Sequence, residues 1–309
     1  MDSPRPEKRD FLRVTDLGRS ELLALLERAA EWKILGQKGP KPLSGMTLGL
    51  VFEKASTRTR VSFGVACYQL GAYEMMLSPR DMQLGRGEPI RDTARVLSRY
   101  LDALVVRTFG HAKLEEMARH ASVPVVNALT DASHPCQLIA DLLTVAERFG
   151  QDRLARGDLV IAWVGDGNNV ANSWLEAASV LGFRLRLACP AGYGPDPELL
   201  RRAGDRALLT RDPAEAVRGA NVVNTDVWAS MGQEGEAEER KKTFQGFTVD
   251  RRLLSLADAK AVVLHCLPAH RGEEIEDEVL EGPQSAVFDE AENRLHAQKA
   301  LLEFLLSHR

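Results

Sequence analysis

Between Met46 and Leu264 the sequence repeatedly changes its period, and this constrains the fold more than any other feature. Short apolar runs occupy Met46–Val51, Glu74–Leu77, Ala103–Val106, Val123–Val126, Leu159–Val164, Arg184–Ala188, Asn221–Asn224 and Ala261–Leu264. Between them lie segments whose apolar residues recur at helical spacing, notably 61–70, 90–101, 114–120, 135–149 and 170–181. Strand and helix in alternation predict the α/β class, with parallel sheets flanked by helices. An amphipathic helix over 20–32, with Ser20 as its expected N-cap, precedes the series, and a leucine-rich helix from Glu290 to Leu305 closes it.

A chain of 309 residues is long enough for two such domains, each with its own core. After the helix that ends at Phe149 comes the polar stretch Gly150–Gly157, and the alternation then starts afresh, so the boundary is expected there, with domains at 1–149 and 150–289. Forty basic residues against forty-four acidic ones give a net charge of −4, which excludes the basic excess of a typical nucleic-acid binder. Any anion site must therefore be a local concentration of Arg and Lys. The four cysteines, Cys67, Cys136, Cys189 and Cys266, are far apart with no C-x-x-C pair, so neither a disulfide framework nor a structural metal site is expected. A reducing cytoplasm fits this usage. The N-terminus has no apolar core of a signal sequence, and no run reaches membrane-spanning length.

The densest chemistry is at Phe52-Glu53-Lys54-Ala55-Ser56-Thr57-Arg58-Thr59-Arg60, a polar turn between the first apolar run and a helix closed by Gly71. Two guanidinium groups, an ammonium and three hydroxyls face the same way as the free N–H groups and positive dipole end of the new helix. Such a turn favours a multiply charged anion, because arginine forks match phosphate oxygens and Lys54 adds a point charge. Read without that order of residues, the segment would be a capped helix with solvated arginines.

In an open parallel sheet ligands sit beyond the carboxyl ends of the strands, so the residues just after each run are informative. Arg107 follows Val106. Asp131-Ala132-Ser133-His134-Pro135-Cys136-Gln137 follows the 123–126 run, and a neutral His134 and the Gln137 amide can donate to a carbonyl oxygen. Gly165-Asp166-Gly167-Asn168-Asn169-Val170 has the first two glycines of a dinucleotide fingerprint but Val170 in place of the third. Adjacent amides at a helix start suit a small carboxylate instead. Asp226, followed by Ser230-Met231-Gly232, supplies an anionic group and turn amides for an amino acid's ammonium and carboxylate. His265-Cys266-Leu267-Pro268 ends the last run. Cys266 reads either as a nucleophile with His265 as base or as an orienting group, and neighbours on an extended segment point apart. Glu234–Lys242 reads as a solvated loop or helix face, or as a mobile lid.

Taken in order, Ser56-Thr57-Arg58-Thr59-Arg60, His134-Pro135-Cys136-Gln137, Gly165-Asp166-Gly167-Asn168-Asn169, Asp226 with Ser230-Met231-Gly232, and His265-Cys266-Leu267-Pro268 resemble the aspartate/ornithine transcarbamoylase family, from about Phe52 to Arg294. The first two motifs are shared across it and mark carbamoyl phosphate; the Ser-Met-Gly and His-Cys-Leu-Pro motifs resemble its ornithine-using members. The resemblance implies a C-terminal helix, 290–309, that packs back on the first domain. It implies that Ser56, Thr57, Arg58, Thr59 and Arg107 hold the phosphate, with His134, Pro135, Cys136, Gln137 and Arg294 around the carbamoyl group. Asn168 or Asn169, with Asp226, Ser230 and Met231, would bind ornithine, and Cys266 and Leu267 would lie beside the reacting amine and the carbamoyl group. Gln83 belongs to a loop that the family lends to a neighbouring subunit of a homotrimer. Members often carry a lysine in that loop, whereas the stretch Asp81–Glu88 offers only Arg86.

The implied reaction is attack of the neutral δ-amine of L-ornithine on carbamoyl phosphate, giving L-citrulline and phosphate with no cofactor, no metal, no nucleic acid and no membrane. Arg107, His134, Gln137, Asp226, Cys266 and Arg294 are its expected catalytic set. The rivals are a sibling enzyme acting on an acylated ornithine, a diamine or aspartate, and a non-catalytic anion-binding α/β protein.

Overall fold

The structure, a computed structural model, describes residues 8–78, 82, 87–230 and 232–307. Gln83 and Met231, both expected in binding sites, lie outside the described residues. The chain forms two compact units, 1–140 with 293–309, and 141–292, so the division runs through two helices.

The first unit begins with α1 (Arg19–Leu35), capped by Gly18, whose N–H donates to Glu21 at 2.9 Å. The expected cap at Ser20 is already inside the helix. There follow β1 (Thr47–Phe52), α2 (Arg58–Leu70), β2 (Tyr73–Leu77), α3 (Ile90–Leu97), β3 (Ala103–Arg107), α4 (His111–His120), β4 (Val125–Leu129) and α5 (Pro135–Phe149). The strands pair in parallel in the order β2-β1-β3-β4. β1 and β3 are buried almost throughout, which explains why they read as unbroken apolar runs and do not alternate. Because the chain passes from β1 to β2 and then returns to the other side of β1 with β3, the loops after β1 and β3 part at their carboxyl ends. Ligands of open parallel sheets sit at such switch points, and this one lies at Phe52 and Arg107, which are partners in register.

The second unit contains the end of α5, then α6 (Gln151–Arg156), β5 (Val160–Val164), α7 (Asn169–Leu181), β6 (Arg184–Ala188), α8 (Pro197–Ala203), β7 (Ala207–Thr210), α9 (Pro213–Val217), β8 (Val222–Thr225), α10 (Ala237–Thr243), α11 (Arg251–Leu254), β9 (Val262–His265), α12 (Asp277–Leu280) and the start of α13 (Val287–Leu306), whose residues from Asn293 on belong to the first unit. Its parallel sheet runs β7-β6-β5-β8-β9, with the switch between β5 and β8. The core on one side of it gathers Ala162, Val164, Val223 and Val263 under Phe244, Val249, Ile275 and Val287. β7 has no counterpart among the predicted runs, since it is an edge strand with only half-covered side chains.

Within the first unit the end of α13 packs against α1 and α2. Lys299 Nζ donates to Gln69 Oε1 at 2.8 Å and to the Gly36 carbonyl at 2.9 Å, and sits 4.3 Å from the centre of the Trp32 ring. Glu303 takes both Arg28, at 2.7 and 2.8 Å, and the Trp32 indole N–H, at 2.7 Å. Burial lowers the Lys299 ammonium to about 8, chiefly by desolvation.

Candidate active site

In the first unit the polar turn after β1 leads into α2 earlier than the sequence period predicts, so Arg58 and Thr59 stand in the helix's first turn. The Thr59 N–H donates to Ser56 Oγ at 3.2 Å, using one of the N–H groups that a helix start leaves over. Thr59 is buried, and its hydroxyl is where three segments meet. Arg294 Nη2, from α13, donates to Thr59 Oγ1 at 2.6 Å, and Arg107 Nη1, from the end of β3, approaches it at 3.5 Å. The other fork of Arg294 donates to Gln137 Oε1 at 2.8 Å. Arg107, His134, Gln137 and Arg294 are all buried.

This is a concentration of positive charge around one imidazole. Burial holds His134 well below the usual imidazole range, and the guanidiniums of Arg294, Arg107 and Arg58 push it the same way. A neutral ring can donate one hydrogen bond without adding a fourth cation. Cys136, on the buried side of α5, gives its thiol to the Asn127 carbonyl at 3.2 Å, and burial raises it to about 12, so it packs and does not react. Two sequence expectations change here. Lys54 is engaged by Asp131 and lies 4.2 Å from the Phe109 ring centre, so its charge is neutralised beside the site and not added to it. Arg60 is exposed on α2.

In the second unit the switch point carries the other group of residues. Asn168 N-caps α7, its Oδ1 accepting from Val170 N at 2.9 Å and Ala171 N at 3.2 Å, while its Nδ2 donates to Asp226 Oδ2 at 2.7 Å. Asp226 Oδ1 accepts from its neighbour Val227 N at 2.8 Å and from Cys266 Sγ at 3.2 Å. The Ser230 N–H donates to Gln233 Oε1 at 3.0 Å. The two glycines of the G-x-G fragment are accounted for by the backbone. Gly165 sits at φ 129°, and a Cβ on Gly167 would lie 2.2 Å from Pro195 N, where the 194–195 segment crosses.

The thiol of Cys266 is pushed well above its ordinary value, by burial first and then by Asp226, Glu290 and Asp141. His265 cannot serve as its base. Its Nδ1 accepts from Leu267 N at 2.9 Å and its Nε2 faces Glu274 Oε1 at 3.0 Å. Of the two readings of Cys266, the neutral thiol that orients a neighbour fits this geometry. Leu267 adopts φ 58°, rare for a branched residue.

The acidic-basic segment 234–242 holds what sequence reasoning missed. It forms α10 at its end, and Arg240 is buried there with Asp166. Desolvation raises the Asp166 carboxyl to about 6 in spite of Arg240. Among the described residues no helix is long and apolar enough to cross a membrane, and all four cysteines are free.

Comparison with known proteins agrees with this layout. The family model for the carbamoyl-P binding domain of aspartate/ornithine carbamoyltransferases matches residues 9–147, and the model for their Asp/Orn binding domain matches 157–305. The chain is 54% identical over 300 residues to an ornithine carbamoyltransferase of Halorhodospira halophila, covering 96% of this chain and 99% of that one. It is 53% identical over 302 residues to a Pseudomonas aeruginosa protein named ornithine carbamoyltransferase, anabolic, covering 97% and 98%. The solved structure of ornithine carbamoyltransferase from Pyrococcus furiosus is similar with a TM-score of 0.91 at 47% identity, over 97% of each chain.

Proposed function

The chain belongs to the aspartate/ornithine carbamoyltransferase family, and from that premise we propose that it transfers the carbamoyl group of carbamoyl phosphate to the δ-amine of L-ornithine, giving L-citrulline and phosphate. The observation that carries this reading is the buried set Arg107, Arg294, Thr59 and Gln137 around a neutral His134, an array of donors suited to an anionic phosphate and a carbonyl oxygen that gains charge.

In this reading Ser56, Thr57, Arg58, Thr59 and Arg107 hold the phosphate, and Arg294, His134 and Gln137 direct donors at the carbonyl oxygen. The amine nitrogen forms a bond to the carbonyl carbon, the carbon–oxygen bond to phosphate breaks, and the proton that the amine gives up ends on an oxygen of the departing phosphate. A free δ-ammonium has a pKa near that of lysine, ~10.4, so the nucleophile must be deprotonated and desolvated before it attacks. Asp226, Ser230 and Met231 take the amino-acid end. Asn168 is committed to its cap and to Asp226, which favours Asn169 as the asparagine that meets ornithine. Cys266 orients Asp226 through its thiol.

A homotrimer is supported by exposed apolar side chains of the first unit, Val61 and Tyr68 on α2 with Tyr73 and Met75 on the edge strand β2. The free cysteines favour a reducing compartment, the cytoplasm. The anabolic relative favours the biosynthetic direction, toward arginine.

The test is citrulline formation by the purified protein, with ornithine, aspartate, N-acetylornithine and putrescine compared as acceptors. Turnover with ornithine at least a hundredfold above the others is expected. Preference for another acceptor, or no turnover, overturns the reading.

A further inference from the structure

Resting on the assignment of the loop after β8 to the amino-acid substrate, we infer that Arg240 is a positioning residue for ornithine, which with Asp166 clasps that loop in its binding shape. Arg240 lies on α10, a helix outside every recognised motif, yet it is buried. Its Nη1 donates to Asp166 Oδ2 at 3.0 Å and to the Trp228 carbonyl at 2.7 Å, and its Nε donates to Glu236 Oε2 at 3.0 Å. The guanidinium also lies 4.9 Å from the centre of the Tyr193 ring. One group thus joins the turn after β5, the segment before α8, the loop after β8 and α10 itself.

Charge neutralisation alone does not explain this arrangement. Two carboxylates already flank the guanidinium, and the shorter of its bonds goes to a backbone carbonyl two residues before Ser230. The loop is held at its start by Asp226, which takes Val227 N and Asn168 Nδ2, and at Ser230 by Gln233. Arg240 fixes the middle. The apolar side of the same residue is fixed too, since the Trp228 ring stacks on Phe244 at 5.5 Å and 29°. A carbonyl, a ring and an acid are therefore set together, and the backbone between Asp226 and Ser230 has one shape while the clasp is closed. Pre-setting that shape spares the ordering cost at binding, so the clasp acts on ornithine affinity.

The experiment compares Arg240→Met, Arg240→Lys and Asp166→Asn with the unaltered protein by hydrogen exchange and steady-state kinetics, after circular dichroism has established folding. In Arg240→Met the amides of 227–230 should exchange at least tenfold faster while those of β5 and β8 do not change. The KM for ornithine should rise tenfold or more, with kcat and the KM for carbamoyl phosphate within threefold. Arg240→Lys, which keeps a cation but not the fork, should recover part of the loss. If Arg240→Met does not fold, Asp166→Asn carries the same comparison with the arginine in place. Unchanged exchange at 227–230 in a folded variant, or equal increases in both KM values, overturns the inference. Should the unaltered protein fail to use ornithine, the proposed function falls, while the exchange comparison still decides whether Arg240 holds the loop.

Discussion

Arg294, near the chain's end, donates to the hydroxyl of Thr59, 235 positions earlier in sequence, at 2.6 Å. The same guanidinium reaches Gln137 at 2.8 Å, so one side chain of α13 joins the first turn of α2 to the first turn of α5. Arg294→Lys keeps the charge but cannot serve two acceptors in a planar fork. It should lower kcat by about 10²–10³-fold, the usual loss when a donor to a developing oxyanion is removed. Rapid-quench turnover with saturating substrates checks this, and a loss confined to KM would assign the fork to ground-state binding.

Asp226 gathers Asn168, Val227 N and the Cys266 thiol in the second unit. Asp226→Asn leaves shape and removes charge. The ornithine KM should rise by about 10²-fold, in line with about 2–3 kcal/mol for a lost charge-assisted bond. The carbamoyl phosphate KM should change little. Equal effects on the two substrates, measured by initial rates over a grid of both concentrations, would contradict the division of labour between the units.

Cys266 is protonated, because burial and the nearby Asp226, Glu290 and Asp141 all disfavour a thiolate. Cys266→Ser still offers an O–H to Asp226, so kcat should fall by no more than about tenfold, whereas loss of a covalent nucleophile costs about 10⁴-fold or more. Mass spectrometry of protein quenched during turnover should find no carbamoylated Cys266.

Asp166 makes stability depend on pH. Its carboxyl is raised from 3.8 to about 6, by desolvation first, against the opposing pull of Arg240. Between those values the folded protein holds a proton that the unfolded chain has released. Stability contributed by this group is therefore fully present below 3.8 and is lost as pH rises through about 6. Relative to Asp166→Asn, the unaltered protein should lose about 1–3 kcal/mol between pH 4 and pH 7, since each tenfold change in proton affinity is worth roughly 1.4 kcal/mol. Urea melts of both proteins at successive whole pH values provide the measurement, and a constant difference would show that the carboxyl titrates in its ordinary range.

What the sequence determined by itself was whatever depends on neighbours in the chain. The strand, turn and helix around Arg58 were legible because an apolar run, a polar turn and a helical period follow one another directly, and Gly71, at φ 86°, closes that helix where its residue type predicts. The parallel sheets followed from the same alternation. The places of Arg107 and Asp226 followed from standing at the last residue of a buried strand and just beyond one. Resemblance supplied Arg294, which no local pattern marks.

Other features depended on which distant segments the sheet order brings together. Only the tertiary structure showed that Lys54 spends its charge on Asp131, that Asn168 is a cap with one amide bond left for Asp226, and that His265 turns toward Leu267 and Glu274 and away from Cys266. It also placed Arg240 inside. In sequence that arginine stands among glutamates and lysines whose pattern reads as solvated, and it is buried because β5 and β8 set Asp166 and the Trp228 carbonyl side by side. A hydrogen bond or ion pair acts over about 3 Å, whatever the separation along the chain, so no period or spacing in the sequence records it.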